Sequence, residues 1–244
     1  MATYVMSDIH GQLAVYLRML VEIGYDGEHD RLYILGDVID RGPQGVAVLK
    51  DCMRRPGVTL LLGNHEDILL RVLHAKRTGR KEAEWQKAWT QNGGDPTRED
   101  FFAQPVSVQR AMEEYLHACP LNITIQAGES LFLAAHACPL NLTQEEYDAQ
   151  CRALRKECAV RLPTYREFLL WQRVEEEDAF PEGVTALFGH TPTCFYQKDV
   201  PYKFWKYQNK IGLDCGLAGL PRGNTAARLG CLRLEDMREW YISP

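Results

Sequence analysis

Seven side chains that can bind a divalent metal ion follow five short apolar runs of the sequence. They are Asp8 and His10, Asp37, Asn64 and His65, His136, and His190. This mixture of carboxylate, amide and imidazole groups suits manganese, iron or zinc better than magnesium or calcium. The set contains no cysteine, so it does not indicate a structural zinc site. If these groups meet at one place, they can form a two-metal hydrolytic centre that acts on phosphate.

The apolar runs predict the strands that would position these groups. They cover residues 3–6, 32–35, 58–62, 131–133 and 185–188. Runs of this length and composition are typical of buried strands. Open α/β sheets collect their chemistry at the carboxyl ends of the strands. We therefore expect five strand ends to bring the candidate ligands together.

Predicted helices alternate with strands in the first third of the chain. Apolar residues recur at helical spacing in three groups, namely Leu13, Leu17, Leu20 and Val21, then Val46, Leu49 and Met53, then Ile68, Leu69, Val72 and Leu73. This βαβαβα order predicts a mainly parallel sheet. Further along, we expect a hairpin over residues 122–135, helix within residues 143–170, and short strands and turns in the C-terminal part. No linker or repeat divides the sequence, so we expect a single domain over residues 1–244.

Residues 78–118 differ from their surroundings because they are polar and are interrupted by a turn-forming sequence at residues 92–96. We expect a helical insertion here, with helices on both sides of the break. Trp85 and Trp89 lie four residues apart within it. That spacing favours a stripe in the protein core over a surface that stacks on bases.

The composition argues against several classes of partner. The 244 residues are 45% hydrophobic and 25% charged, as in a globular protein, and the net charge is −5. An acidic chain is poorly suited to nucleic acid or an anionic lipid surface. No apolar stretch approaches the roughly 20 residues of a membrane helix, and Asp8 and His10 lie too early for a cleaved signal sequence, so we expect a cytoplasmic protein. The eight cysteines form no CxxC pair and are expected to be mostly buried, reduced thiols.

The candidate ligands stand within motifs that resemble those of a known family. The motifs are Asp8-x-His10, Gly36-Asp37-x-x-Asp40-Arg41-Gly42, Gly63-Asn64-His65-Glu66, His136 and Gly189-His190. In this order they resemble the calcineurin-like metallophosphoesterases, and most closely the bacterial and phage branch of the phosphoprotein phosphatase family. The resemblance becomes poor after about residue 192, apart from the segment Leu213-Asp214-x-Gly216. Cys138 also departs from it, because the family usually has glycine there.

The resemblance implies a fold and a cofactor. The fold would be an α/β sandwich of two central mixed sheets flanked by helices. The cofactor would be two divalent metal ions, with manganese the first choice and iron or zinc as alternatives. The residues that hold them would be Asp8, His10 and Asp37 at the first position and Asp37, Asn64, His136 and His190 at the second. Asp37 would therefore bridge the two ions.

The same resemblance implies roles for the remaining motif residues. His65, protonated and held by Asp40, would donate a proton to the leaving oxygen. A carboxylate partner raises the pKa of a histidine, which keeps it an acid near neutrality. Arg41 would bind two phosphate oxygens through its planar fork of donors. Arg173, in a short Trp-x-Arg motif, and Asn64 would also bind the substrate.

The charges of the predicted ligands separately favour phosphate chemistry. Both metal ions are doubly positive, whereas only Asp8 and Asp37 are anionic ligands. The centre would stay cationic even with a hydroxide shared by the ions, and a cationic centre stabilises the charge on phosphate oxygens. Two metals about 3.5–4 Å apart would lower the pKa of water and favour that hydroxide, which would attack phosphorus in line with the leaving group.

The sequence leaves two classes of substrate as alternatives for such a centre. Our leading hypothesis is a phosphomonoesterase of the serine/threonine protein phosphatase type, acting on a phosphoprotein. The alternative is a bis(5'-nucleosyl)-tetraphosphatase, and the motifs do not separate the two because both reactions need the same attack on phosphorus. A scaffold that has lost catalysis is disfavoured because neither a ligand nor the acid histidine is missing. A nuclease is disfavoured by the acidic net charge and by the Asp40-Arg41-Gly42 motif.

Overall fold

Ten strands form the centre of the fold. The computed structural model describes residues 1–157, 161–218 and 226–244, and for residues 155–157 it describes the backbone alone. The strands are β1 (Thr3–Met6), β2 (Arg31–Ile34), β3 (Val58–Leu60), β4 (Asn122–Ala127), β5 (Ser130–Ala135), β6 (Val184–Phe188), β7 (Trp205–Tyr207), β8 (Lys210–Gly212), β9 (Leu229–Arg233) and β10 (Arg238–Ile242). They make two five-stranded sheets, ordered β10-β9-β1-β2-β3 and β4-β5-β6-β8-β7.

Both sheets combine parallel and antiparallel strands. In the first sheet, β1, β2 and β3 are parallel, whereas β9 is antiparallel to β1 and β10. In the second sheet, β5, β6 and β8 are parallel, and β4 and β7 pair antiparallel at its edges. The parallel order predicted for the first third of the chain is correct. The expected arrangement of two mixed sheets is confirmed.

Eight helices are described, and most of them pack outside the first sheet. They are α1 (Leu13–Glu22), α2 (Gly45–Arg54), α3 (Asn64–Thr78), α4 (Glu82–Gln91), α5 (Asp95–Ala103), α6 (Val106–Ala118), α7 (Gln144–Glu157) and α8 (Tyr165–Trp171). In α1 the predicted apolar face is correct for Leu20, which is buried, and wrong for Val21, which is 82% exposed, while Tyr16 and Met19 are buried instead. Two stripes of this helix have helical spacing, and packing against the sheet selects the one with the bulkier side chains.

Apolar side chains bury both faces of the first sheet. Along β1, Val5 packs between the two sheets, whereas Tyr4 and Met6 face the helices. Successive side chains of a strand point to opposite faces. Strands that are covered on both faces are apolar at every position. This arrangement explains why the runs preceding the predicted ligands are continuous rather than alternating.

Residues 78–118 are helical, as predicted, and contain α4, α5 and α6. Trp89 is fully buried and Trp85 is half-buried against the same core cluster, so the predicted core stripe is correct in full for Trp89 and in part for Trp85. The seven cysteines of the described ranges are free thiols. Cys158, within the predicted helical segment 143–170, lies outside the described residues. No helix in those ranges is both long enough and apolar enough to cross a membrane.

Candidate metal centre

The carboxyl ends of five strands bring the seven predicted groups to one place. The pairs of strand and side chain are β1 with Asp8 and His10, β2 with Asp37, β3 with Asn64 and His65, β5 with His136, and β6 with His190. Six of the seven side chains are at most 2% exposed, and His190 is half-buried. The geometric expectation from the sequence therefore agrees with the structure, while the role of each residue stays a prediction.

Asp37 lies at the centre of this cluster. Its Oδ2 atom is 3.6 Å from Nε2 of His10, 3.7 Å from Nε2 of His65 and 3.4 Å from Nε2 of His136. Two groups of potential ligands share it, namely His10, Asp37 and His65, and Asp37, His136 and His190. Within each group the ligand atoms lie within 4.8 Å of one another. A carboxylate common to two groups is what a bridge between two ions requires.

Backbone carbonyl groups orient two of the histidine rings. Nδ1 of His10 lies 3.0 Å from the carbonyl oxygen of Ile39, and Nδ1 of His136 lies 2.7 Å from that of Leu35. A carbonyl only accepts hydrogen bonds, so each Nδ1 carries the hydrogen and each Nε2 presents its lone pair to the cluster. Proteins orient metal-binding histidines in this way. Burial lowers the pKa of both rings, which keeps them neutral and able to act as ligands.

Asn64 provides a test of whether cations fit the cluster. Its Oδ1 atom lies 2.8 Å from Nε2 of His136 and 3.0 Å from Nδ1 of His190. With Nδ1 of His136 protonated, its Nε2 and the amide oxygen both present lone pairs, and two facing acceptors repel each other. A cation that both atoms bind removes the repulsion. The arrangement therefore fits a metal ion at the second predicted position.

Buried carboxylates provide a second test. Asp8, Asp37 and Asp214 are each at most 3% exposed. Burial and the neighbouring carboxylates of Asp214 and Asp37 raise the pKa of Asp8. Burial also opposes ionisation of Asp37, but electrostatic interactions with the surrounding histidines and with Arg41 outweigh it and hold the pKa of Asp37 well below the usual range. Ionised carboxylates crowded in a buried pocket need cations, so this donor set fits two divalent ions.

Asp214 is a candidate that the sequence reasoning passed over except as part of the resemblance. It follows β8, which is parallel to β6, so a sixth strand end reaches the cluster. Its Oδ1 accepts a hydrogen bond of 2.8 Å from the N–H of Gly216, and burial raises its pKa to about 6. The sequence contains a pattern that could have identified Asp214, because this residue ends an apolar run as Asp37 does.

His65 and Asp40 form a fully buried pair beside the cluster. Nδ1 of His65 lies 2.7 Å from Oδ2 of Asp40, and neither side chain is exposed. Burial lowers the pKa of His65, but Asp37 and Asp40 outweigh this effect and raise it. His10, His136 and His190 all have lowered pKa values. Its position would also allow His65 to bind a metal, and the raised pKa favours the acid role instead.

The helical insertion holds this pair in place. The indole N–H of Trp89 donates to both carboxylate oxygens of Asp40, at 3.1 and 3.0 Å. The backbone N–H of Asp40 donates to the hydroxyl of Thr97 at 2.8 Å. Trp89 is on α4 and Thr97 on α5, so two insertion helices fix the orientation of the carboxylate. A carboxylate fixed in this way keeps the histidine ring in one orientation.

Arg41 places its guanidinium inside the cluster. Nη1 lies 2.9 Å from Nε2 of His10, and Nη2 lies 3.0 Å from Nε2 of His65. The insertion also holds its backbone, since the N–H of Arg41 donates to the carbonyl of Gly93 at 2.8 Å. The side chain therefore reaches the space between the two histidines. A phosphate bound there would lie within reach of its donors.

Glu66, whose position allows it either to stabilise the start of a helix or to support the site, fixes the loop that carries Asp37. Its Oε2 accepts from the N–H groups of Asp37 and Gly63, at 2.8 and 3.0 Å. Its Oε1 accepts from those of Val38 and Ile39, at 2.9 and 3.2 Å. Burial raises the pKa of this carboxyl to about 7, and the four donors favour its ionised form. Both suggested roles therefore apply, because Glu66 also lies in the first turn of α3.

Strained backbone is concentrated at the cluster. Ten non-glycine residues of the described ranges have positive φ, and six of them are predicted site residues, namely Asp8, His10, Asp37, Asp40, Arg41 and His190. Such conformations are costly and persist where the surrounding structure holds them, often at functional sites. Two glycines permit the close approach. A Cβ atom on Gly63 would lie 2.2 Å from Oδ1 of Asp37, and one on Gly189 would lie 2.2 Å from Oδ2 of Asp8.

Arg173 and Cys138 lie at the margin of the cluster. Arg173 is exposed, with its guanidinium 5.9 Å from the ring of Phe195, and its charge contributes to the lowered pKa of His190. The charge of Arg173 therefore acts on a residue of the cluster, His190. Cys138 is 4% exposed, and burial raises the pKa of its thiol to about 12. This agrees with the expectation that the cysteines are mostly buried, reduced thiols.

The two mixed sheets and the buried cluster at their strand ends define a class of α/β proteins that can hold divalent metal ions. The model of the calcineurin-like phosphoesterase family matches residues 1–194. The chain belongs to the calcineurin-like phosphoesterase family, and the resemblance inferred from its motifs is confirmed.

Comparison with individual proteins adds one curated relative and two solved structures. A symmetrical bis(5'-nucleosyl)-tetraphosphatase from Yersinia enterocolitica is 40% identical over 73 residues, which are 30% of this chain and 25% of that protein. The chain thus matches about a quarter of the relative's length. A candidate diadenosine tetraphosphatase has a TM-score of 0.63 and 21% identity, with 99% and 93% of the two chains covered. A protein serine/threonine phosphatase from Saccharomyces cerevisiae has a TM-score of 0.59 and 13% identity, with 99% and 79% covered. These structures share the fold.

Proposed function

We propose that this protein hydrolyses a phosphate ester or anhydride with two divalent metal ions, and that its substrate is a dinucleoside polyphosphate. The position of Asp37 carries the hydrolytic part of the proposal. Its Oδ2 atom faces Nε2 atoms of three histidines, at 3.4 to 3.7 Å, within a buried cluster. Both sheets contribute strand ends to this cluster, which supports a single domain over residues 1–244.

The donor set supports a division of the ligands between two ions. The residues proposed to hold them are Asp8, His10 and Asp37 for the first ion and Asp37, Asn64, His136 and His190 for the second. Manganese suits these oxygen and nitrogen donors, and iron and zinc are the alternatives. When bound, the two ions would lower the pKa of water to supply the nucleophile and would neutralise charge on the phosphate.

His65 and Asp40 are proposed to manage the proton of the leaving group. The short contact between Nδ1 of His65 and Asp40 leaves Nε2 directed towards the cluster, 3.7 Å from Asp37. A protonated Nε2 can donate to the oxygen that departs from phosphorus. Asp40 stabilises the imidazolium before the transfer and holds the ring in the productive orientation. Trp89 and Thr97 in turn position Asp40.

Arg41, Asn64 and Arg173 are proposed to bind the phosphate. Two terminal nitrogens of Arg41 already point at His10 and His65, which flank the proposed position of phosphorus. A guanidinium can contact two phosphate oxygens at once, which orients the group as well as neutralising it. The charge of Arg173 acts on His190, and Arg173 is proposed to contact an outer phosphate oxygen.

The identity with a curated relative favours the dinucleoside polyphosphate over the phosphoprotein, which was the leading hypothesis from the sequence. The relative that is 40% identical over 73 residues is named as a symmetrical bis(5'-nucleosyl)-tetraphosphatase. Cleavage at the central anhydride would add one water molecule. The water oxygen bonds to one central phosphorus, the bridging oxygen leaves with the other, and two nucleoside diphosphates result.

A phosphoserine or phosphothreonine protein is the second candidate, and the buried pair of His65 and Asp40 favours it. The leaving group of such an ester is an alkoxide, a strong base that must be protonated as it departs. The leaving group of an anhydride is a phosphate, which is a weak base and needs the proton less. A dedicated acid therefore contributes most to the hydrolysis of an ester.

One comparison of substrates tests the proposal. The manganese-loaded protein and a chelated control are given diadenosine tetraphosphate and a phosphothreonine peptide, and kcat/KM is measured for each. We expect metal-dependent turnover of both, with the larger kcat/KM for the dinucleotide and nucleoside diphosphate as its sole nucleotide product. A larger kcat/KM for the peptide would replace the first candidate with the second. Turnover that survives chelation would refute the metal centre.

A further inference from the structure

A cavity of about 500 Å³ lies next to the metal cluster. Trp85 of α4 and Trp171 at the end of α8 line it, together with Asp67 and Arg71 of α3. The ring of Trp171 also packs edge-on against the ring of His190, with centroids 5.9 Å apart. One side chain, Trp171, therefore contacts both the cavity and His190, a proposed metal ligand. Its volume is in the range of small-molecule binding sites.

The two tryptophans leave part of their aromatic surface at the cavity, although Trp85 also packs against the core cluster of the first sheet. Trp171 is 40% exposed, and Trp85 is half-buried beneath the guanidinium of Arg71, which lies 4.8 Å from the ring centroid. Neither indole N–H donates a hydrogen bond to any residue of the described ranges, unlike that of Trp89. Flat aromatic surfaces with a free donor are suited to stacking on a heterocyclic base.

The cavity also carries positive charge, although the chain as a whole carries a net charge of −5. A second cavity, of about 390 Å³, adjoins it and shares Asp67, Arg71 and Trp85. The cationic side chains that line the two are Arg71, Arg80, Lys81, Arg161 and Arg166. The carboxylates that line them are Asp67 and Glu167. An excess of cations in an acidic protein marks a surface that attracts an anion.

Two of these arginines are fixed with their terminal donors free. The carboxylate of Asp67 accepts from Nε of Arg71 at 2.6 Å and from Nε of Arg166 at 2.7 Å. The Asp67 side chain is only 3% exposed, so this double contact is a built feature of the fold. Within the described ranges, the terminal nitrogens of both guanidinium groups make no hydrogen bond. They are positioned to donate to an anionic ligand such as a phosphate.

We propose that this cavity binds one nucleoside of a dinucleoside polyphosphate, with its base between Trp85 and Trp171 and its phosphate chain along Arg71 and Arg166. The inference rests on the proposed function, because it assumes that the phosphorus under attack lies at the metal cluster. Trp171 would separate the base from the reacting phosphate, since its ring contacts His190. The protein would then select its substrate by binding a nucleoside that lies at a distance from the bond that breaks.

Steady-state kinetics with two substrates test this subsite. Diadenosine tetraphosphate carries the nucleoside, and p-nitrophenyl phosphate does not. In Trp85→Leu and Arg71→Gln we expect the ratio of kcat/KM for the dinucleotide to that for p-nitrophenyl phosphate to fall about tenfold or more, mainly through a higher KM for the dinucleotide. Trp85→Phe keeps a flat ring, so its ratio of the two kcat/KM values should stay close to that of the wild type.

Trp240→Leu is the matched control. Trp240 is also partly buried beneath an arginine, with the guanidinium of Arg238 4.6 Å from its ring, but it lies on β10 at the edge of the first sheet. For Trp240→Leu we expect the ratio of kcat/KM for the dinucleotide to that for p-nitrophenyl phosphate to equal the wild-type ratio. An unchanged ratio in Trp85→Leu and Arg71→Gln, with the dinucleotide still hydrolysed, would refute the subsite and leave the proposed function intact.

A binding measurement separates failure of the subsite from failure of the proposed function. The methylene-bridged analogue of diadenosine tetraphosphate is titrated into the metal-loaded protein by calorimetry, and Trp85→Leu should raise its Kd about tenfold. If the wild type does not hydrolyse the dinucleotide, the proposed function fails, and the subsite stands only if that Kd shift is found. If Trp85→Leu instead raises the KM of a phosphothreonine peptide and leaves the dinucleotide unaffected, the occupant is a peptide and the subsite proposal is overturned.

Discussion

Replacement of Glu66 by glutamine tests how the Asp37 loop is held. The two carboxylate oxygens of Glu66 each accept two buried backbone N–H groups. Glutamine has nearly the same shape but supplies one oxygen and one amino group. Whichever way the amide is turned, two N–H donors then face another donor. The variant therefore changes the hydrogen bonding and leaves the packing volume almost unchanged.

The size of the effect follows from the number of donors left without an acceptor. A buried donor without a partner costs about 1–3 kcal/mol, and two such donors are created. We expect the free energy of unfolding in urea to fall by about 4 kcal/mol. Because the same loop carries Asp37, manganese affinity should fall about 10–100-fold, as when residues behind metal ligands are changed.

Glu145→Gln is the matched control for this experiment. Glu145 is also a glutamate in the first turn of a helix, but it is exposed at the start of α7. Its replacement should change stability by at most about 0.5 kcal/mol. If Glu66→Gln lowers the free energy of unfolding by no more than the control does, and binds manganese normally, then Glu66 does not hold the loop through its charge and both oxygens.

Three further changes have defined outcomes. His65→Asn should lower kcat for a phosphothreonine peptide by about 10²–10⁴-fold, and lower it less for p-nitrophenyl phosphate, whose leaving group is a weaker base; metal lost from the purified variant would instead identify His65 as a ligand. Arg41→Ala should weaken inhibition by free phosphate in a competition assay, and an unchanged inhibition constant would remove Arg41 from the substrate site. Lys210→Met should lower the free energy of unfolding in urea by about 2–4 kcal/mol. The reason is that the buried Lys210 ammonium donates to the carbonyls of Glu175, Glu176 and Asp178. The control is Lys206→Met, a change at an exposed lysine, and equal stability of the two variants would contradict this expectation.

The strands that lead to the site, and their ends, could be predicted from the sequence because these strands lie inside the sheets and are largely buried. Burial on both faces requires continuous apolar runs, and each run stops where the chain leaves the core. The side chains just beyond the runs, such as Asp37 and His136, then lie at one edge of the sheets. Asp214 also ends an apolar run, but that run is short and, although Gly216 follows, no histidine lies nearby, so the pattern around Asp214 is weaker.

Other features depend on contacts between residues that are distant in the sequence. Trp89 and Thr97 reach Asp40 across 49 and 57 residues, and no local spacing encodes such contacts. The prediction that Val21 lies on the buried face of α1 was wrong for a related reason. Both Val21 and the pair Tyr16 and Met19 fit a helical period, and packing against the sheet, which is distant in the sequence, buries Tyr16 and Met19. Trp85 differs again, because the same spacing that buries Trp89 leaves Trp85 at a cavity wall.

The proposal of two ions sharing Asp37 is tested most directly by anomalous diffraction from crystals of the manganese-loaded protein. We expect two peaks about 3.5–4 Å apart, on either side of the Asp37 carboxylate. His10 should contact one peak, His136 and His190 should contact the other, and His65 should lie outside bonding distance of both. A single peak, or two peaks without Asp37 between them, would contradict the account.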